Sequence, residues 1–128
     1  MKNIIENDWI DHEFVENRTL GYEDLKACVT QDKYSIENTA KVCGIPEESI
    51  MQALEWLHEC QHKTAFVHCL GITQHTVGVD NVRSIAFVQT LLGNIGKPGC
   101  GVNALRGQNN VQGSCDMGAL PNVYAGYF

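Results

Sequence analysis

Positive charge is scarce in this chain: nine Lys and Arg residues stand against fifteen Asp and Glu, a formal net charge of −6. No basic stripe exists to neutralise phosphates, which argues against a nucleic-acid partner. Long hydrophobic runs are also missing. No apolar segment approaches the ~20 residues needed to cross a bilayer, and Met1 to Trp9 lacks the apolar centre of a signal segment, so a cytoplasmic protein without a membrane span is expected. The six cysteines (Cys28, Cys43, Cys60, Cys69, Cys100, Cys115) are widely and irregularly spaced, with no C-x-x-C pair to begin a zinc or iron–sulfur site. They read as free thiols in a reducing compartment. Acidic residues are nearly absent from the second half: thirteen of the fifteen precede His62, leaving Asp80 and Asp116. The first half therefore reads as solvated helical surface. The second reads as surface covered by other protein, a cofactor, or both.

What the second half does contain is glycine. Between Gly93 and Gly118 lie seven of the twelve glycines, the amides Asn103, Gln108, Asn109, Asn110 and Gln112, and, after Lys97, a single cation, Arg106. Glycine at this density disfavours helix, at about 1 kcal/mol per interior position, and strands lose packing area in the same way. A long ordered loop is expected. Glycines let backbone amides approach a ligand, side-chain amides both donate and accept, and one guanidinium can face an anion. The stretch reads as a seat for a large polar cofactor and a small anionic substrate.

With 128 residues and 44% hydrophobic content the chain can form one domain with a real core. Its first part reads as helices: one begun near Asp11 with Trp9, Ile10, Phe14 and Val15 on a side, one from Leu20 with Thr19 as a possible N-cap, and one capped by Ser35 and stopped at Gly44. Pro46 opens the clearest helix, with Glu47 and Glu48 facing its positive end and Ile50, Ala53, Leu54 and Leu57 as its apolar stripe. Thr64–Leu70 is short, continuously apolar and partly β-branched, the pattern of a parallel strand buried on both faces. Gly71 to Gly78 follows as a strand-end loop, and Asp80 can cap a further helix ending at Gly93. The expected organisation is a mainly helical segment 1–63, a strand–loop–helix unit 64–93 and a glycine-rich cofactor and substrate loop 94–128, all parts of one incomplete α/β domain. Since ligands of such sheets bind beyond the carboxyl ends of strands, Gly71–Gln74 and the glycine-rich loop are expected to face one crevice.

Two motifs and three single residues carry possible chemistry. His58-Glu59-Cys60-Gln61-His62 matches H-E-x-x-H, the zinc-hydrolase pattern that needs two imidazoles one turn apart on a rigid helix and a third ligand. Here the helix is expected to fray at His62 as a strand begins, and His68 and His75 are the remaining candidate ligands, so a solvated helix end is the favoured reading and no metal ligand is assigned. Gly93-x-x-Gly-Lys97 resembles part of a phosphate loop but has Pro98 where Ser or Thr should ligate magnesium, and it follows a helix. Arg106 is either an internal brace for backbone carbonyls or an anion-binding group. Gln108 and Gln74 are amides that either tie loops together or read a ligand.

The run Arg106-Gly-Gln-Asn-Asn-Val-Gln-Gly-Ser-Cys-Asp-Met-Gly-Ala-Leu-Pro-Asn-Val-Tyr124 closely resembles a signature of the catalytic (alpha) subunit of molybdenum- or tungsten-dependent formate dehydrogenases, in the molybdopterin oxidoreductase superfamily. Phe14-Val-Glu-Asn-Arg-Thr19, Cys43-Gly-Ile-Pro46, Gly71-Ile-Thr-Gln-His75 and Gly93-Asn-Ile-Gly-Lys-Pro98 agree with it, in order, over essentially the whole chain. The resemblance implies a partial Rossmann-like domain with helices around a short parallel-strand layer, a bis-molybdopterin guanine dinucleotide cofactor holding Mo or W, and interconversion of formate and CO₂. Carried over by residue, Arg106 would attract and orient formate with Gln108 beside it, and Leu70, Gly71, Gln74 and Gly107 would touch the cofactor.

Complete members of that family are several times longer. They carry upstream a cysteine-rich 4Fe–4S motif, a lysine on the electron path, a catalytic histidine and the Cys or selenocysteine that ligates the metal, and none of these has a counterpart here. The expectation is an internal fragment or one chain of a split subunit, inactive alone, whose partners are formate, the remainder of the catalytic subunit and electron-transfer subunits. The alternative is a non-catalytic assembly or cofactor-contacting module.

Overall fold

The computed structural model describes residues 1–107 and 109–127. Its N-terminal half is a run of short helices whose limits are set by local capping. Helix α1 covers Lys2–Glu6 and α2 covers His12–Arg18, opened by the Asp11 carboxylate, which accepts the Phe14 N–H at 2.9 Å. Helix α3 spans Tyr22–Val29, and here the expected cap is wrong. The Thr19 hydroxyl is spent on the last turn of α2, donating to Val15 O at 2.7 Å. Gly21 takes the N-cap position of α3 instead, at φ 74°. After a 3₁₀ turn (Asp32–Tyr34), α4 (Ile36–Cys43) begins at Ser35, whose hydroxyl accepts the Asn38 N–H at 3.2 Å, and stops at the left-handed Gly44, both as expected. Helix α5 (Glu47–Glu59) has Pro46 at its N-cap, one position ahead of the first turn, with Glu47 and Glu48 inside it.

The second half is strand and helix. Strand β1 (Ala65–His68) leads into the single turn α6 (Leu70–Thr73) and then α7 (Gly78–Leu91). Two expectations need correcting. The strand-end segment is half helical, and α7 begins ahead of Asp80, which lies in its first turn rather than at its cap. Gly78 permits the early start, because a Cβ there would lie 2.1 Å from Thr73 O. Strand β2 (Gly101–Ala104), helix α8 (Val111–Ser114) and a π-helical turn (Cys115–Ala119) complete the order. The glycine-rich stretch is thus not all loop: β2 pairs in parallel with β1, in register from Ala65 with Gly101 to His68 with Ala104. The chain is an α/β structure in which a two-stranded parallel sheet lies among helices. The sheet is not buried on both faces, since Val67 is 59% exposed.

The core joins the two halves. Ile4, Ile5, Ile10, Val15 and Val29 of the first three helices and their connections pack around Leu91 and Leu92 at the end of α7, and the Asp11 N–H donates to Leu91 O at 2.8 Å. One polar side chain sits at the same level and organises the sheet. Gln89, 0% exposed, donates from Nε2 to Thr64 O and to Gly101 O, each at 2.8 Å, and so ties together the starts of both strands. Its Oε1 accepts from Asn94 Nδ2 at 2.6 Å. Only an NH₂ group can serve two carbonyls, so the orientation of both amides follows from the network.

Candidate functional site

The carboxyl ends of β1 and β2 form one edge. The ladder runs one bond past the strands, Leu105 N–H donating to His68 O at 2.8 Å. Beyond that bond the two chains diverge, β1 into Cys69 and α6, β2 into Arg106 and Gly107. They stay close, because a Cβ on Gly107 would sit 3.4 Å from Leu70 Cδ1. Sequence-distant Leu70 and Gly107 are therefore neighbours, with Gly71 next to Leu70 on α6. The Gln74 N–H donates to Leu70 O at 3.0 Å and closes α6, and its amide side chain is exposed.

Arg106 is exposed and its guanidinium donates from Nη2 to Gln112 Oε1 on α8. Its described hydrogen bond is therefore to a side-chain amide and not to a backbone carbonyl. The start of α8 is held by Asn110, at φ 48°, whose side-chain oxygen accepts the Gly113 N–H at 3.3 Å. The π-helical turn that follows is tied to the chain beyond it: Asp116 O accepts the Gly126 N–H at 2.9 Å and its carboxylate accepts from Tyr127 Oη at 2.5 Å. That carboxylate pushes the Tyr127 hydroxyl pKa upward. Gln108, the other proposed catalytic residue, lies outside the described residues.

The edge suits a flat, polar heterocycle. Leu70 is 43% and Leu105 61% exposed, giving apolar surface for a ring face. Gly71 has open space where a Cβ would stand, so a ring can approach the backbone, and Gln74 adds an amide that can pair with a ring edge. Apolar surface, open backbone and one side-chain amide are the contacts such a ring would use. His68, at the last position of β1, has a buried Nδ1 without a hydrogen-bond partner among the described residues.

The H-E-x-x-H histidines are committed elsewhere. Helix α5 ends at Glu59, so His62 lies beyond the helix that carries His58. His58 stacks on Trp9 with ring centroids 4.2 Å apart. His62 Nδ1 accepts from Lys97 Nζ at 2.9 Å. Among the described residues no group of three or more His, Cys, Asp or Glu side chains is arranged to hold a metal ion.

Lys97 also meets Asp11 Oδ2 at 3.3 Å and so links the α7–β2 connection to α2. The Asp11 carboxyl is held below its ordinary pKa, first by the Phe14 N–H; burial opposes this and the Lys97 bond and charge add to it. Gly93 makes this arrangement possible, because at φ 63° its Cβ position lies 2.2 Å from Asp11 Oδ2. The phosphate-loop fragment Gly93–Lys97 is thus a structural brace for the helical half. Sequence reasoning passed over Gln112 as the partner of Arg106, Gln89 as the strand clamp and Lys97 as the link to Asp11. Their partners are distant or lie in loops of undefined geometry, and no local pattern marks them.

No protein-family model matches the chain. It is 51% identical over 124 residues to the F420-dependent formate dehydrogenase 2 subunit alpha of Methanococcus maripaludis, an alignment covering 97% of this chain and 18% of that protein. It is 48% identical over 124 residues to the F420-dependent formate dehydrogenase subunit alpha of Methanocaldococcus jannaschii, with the same 97% and 18% coverage. Against formate dehydrogenase H of Escherichia coli the identity is 43% over 124 residues, covering 97% of this chain and 17% of that one. The chain therefore spans less than a fifth of the length of these curated relatives.

Proposed function

Since the chain belongs, as a segment homologous over nearly its whole length, to the formate dehydrogenase alpha-subunit family, we propose that it supplies one wall of a crevice for formate and a Mo- or W-bearing bis-molybdopterin guanine dinucleotide. The observation that carries this reading is the meeting of Leu70 and Gly107 at the carboxyl edge of the parallel strands, next to Arg106. In this reading Leu70, Gly71, Gln74 and Gly107 hold the pterin dinucleotide. The guanidinium of Arg106 takes the formate carboxylate through paired charge-assisted bonds, and Gln108 stands beside it in the pocket. The cofactor, when bound, supplies the two-electron chemistry of formate oxidation or CO₂ reduction. The chain's own part is to bind, to orient and to exclude water from one side.

The stretches 1–63, 64–93 and 94–128 act as parts of one domain. The pairing of β1 with β2, the Gln89 clamp and the Lys97–Asp11 contact support that organisation. Alone the chain turns over no formate, because a cofactor gripped from two sides needs the opposite wall. It works with the rest of an alpha subunit and with electron-transfer subunits. The test is an intact alpha subunit in which this segment carries Arg106→Lys. Lysine keeps the charge and loses the bidentate fork, so the KM for formate should rise about 10- to 100-fold. An unchanged KM would remove Arg106 from the substrate site. Cofactor loading without any Arg106-dependent activity would favour a purely cofactor-contacting module.

A further inference from the structure

We propose that Gln112 is a positioning residue that fixes the Arg106 guanidinium for a small carboxylate without neutralising it. The inference rests on the reading of Arg106 as the anion-binding group. It goes further by saying how one exposed arginine is held ready.

The backbone of Arg106 is anchored by the last ladder bond, Leu105 N–H to His68 O at 2.8 Å. Its side chain is not anchored by that bond, and a free arginine spreads its charge over many rotamers. Gln112, six residues on, meets it from α8 with a carbonyl oxygen. That oxygen has a fixed origin, because Asn110 caps α8 through the Gly113 N–H and Ser114 Oγ donates back to Asn109 O at 3.4 Å. A side chain at position 113 would displace the cap, since a Cβ there falls 2.5 Å from Asn110 Nδ2. The chain of constraint therefore runs from a glycine and an αL asparagine through a short helix to one amide and then to the guanidinium.

The chemistry of the partner matters as much as its position. Among the described residues Arg106 forms no ion pair within 4.0 Å, whereas Arg83 pairs with Asp80 at 3.5 Å. A carboxylate at position 112 would hold the guanidinium equally well but would occupy its fork and cancel its charge. An amide oxygen takes one of five donors and leaves the full positive charge and a donor pair for an incoming anion.

The experiment uses the ¹⁵N-labelled chain. Its sequence holds three arginines, Arg18, Arg83 and Arg106, and Arg106→Lys identifies the Arg106 side-chain signal. Nε order is read by heteronuclear NOE, and sodium formate is titrated against sodium chloride at equal ionic strength. Backbone amide spectra verify that each variant keeps the fold. In the native chain the Arg106 signal should be ordered and should respond to formate. Gln112→Ala should make it mobile and raise the half-saturating formate concentration about fivefold, the worth of one net hydrogen bond. Gln112→Glu should keep the order and lose the formate response. Equal mobility in the native chain and Gln112→Ala, or a native-like formate response in Gln112→Glu, overturns the proposal. Formate shifts as large at Arg18 and Arg83 as at an ordered Arg106 overturn the reading of Arg106 as the anion site, and this inference with it.

Discussion

Replacing Gln89 with methionine tests the clamp that holds the two strands together. Methionine is unbranched and close to glutamine in size, so it fills the same space with little cavity and removes only hydrogen-bonding capacity. Three bonds disappear: Nε2 to Thr64 O, Nε2 to Gly101 O and Asn94 Nδ2 to Oε1. At about 1 kcal/mol net for each, the loss is about 3 kcal/mol. The partners left behind keep their desolvation cost, while the thioether gains from burial, and these two effects oppose one another. The loss is large against a total of about 5–15 kcal/mol for an ordinary domain. Urea unfolding followed by far-UV circular dichroism should show an earlier midpoint with an unchanged m-value. Amide exchange should accelerate most at Val102 and the other β2 positions, because Gly101 loses its tether to α7. A methionine variant within about 0.5 kcal/mol of the native chain, with unaltered exchange in β2, would refute the clamp.

Gly93→Ala forces a Cβ into Asp11 at a backbone angle that disfavours side chains. The positive φ alone costs about 1 kcal/mol and displacement of the Asp11 cap about another, so a loss near 2 kcal/mol should appear in the same urea assay. Asp11 predicts the pH response. Its folded pKa is lowered from 3.8, so its contribution is complete above that value and is lost as pH falls through the lower folded pKa. Asp11→Asn keeps a capping oxygen but loses the charge facing Lys97, and should flatten the fall in stability below about pH 4 while leaving the cap in place; an unchanged acid slope would show that Asp11 does not drive it. Gly107→Val should disturb the edge, because the Cβ position already lies 3.4 Å from Leu70 Cδ1 and a β-branched residue carries two further carbons there. In an intact alpha subunit this should lower cofactor occupancy, measured as bound metal per chain, and full occupancy would separate Gly107 from the cofactor site.

How much of this was legible in the residues differs from element to element. Ser35 and Gly44 announced their caps because a cap is a bond between neighbours three or four residues apart, and local chemistry settles it. Thr19 failed for a related reason: its hydroxyl had two nearby helices to serve and packing gave it to the earlier one. Strand β1 was readable from its apolar, β-branched run, but the burial of both faces was not, because burial depends on what other elements cover it. Strand β2 was invisible, since Gly101, Asn103 and Ala104 have little intrinsic preference for extended structure and adopt it only through pairing with β1.

The sequence by itself determined the family, through an ordered set of matching segments, and with it the expectation that Arg106 and the strand-end residues belong to one site. It also determined the α/β class, through the switch from helical period to a short apolar run. Only the tertiary structure decided which distant groups meet. Gln89 finds carbonyls 25 and 12 residues away, Leu70 comes to lie against Gly107, and the H-E-x-x-H histidines are drawn to Trp9 and Lys97. Sequence patterns record preferences between neighbours along the chain. These contacts arise from how whole elements pack, and an amide or an imidazole carries no local mark of the partner it will meet.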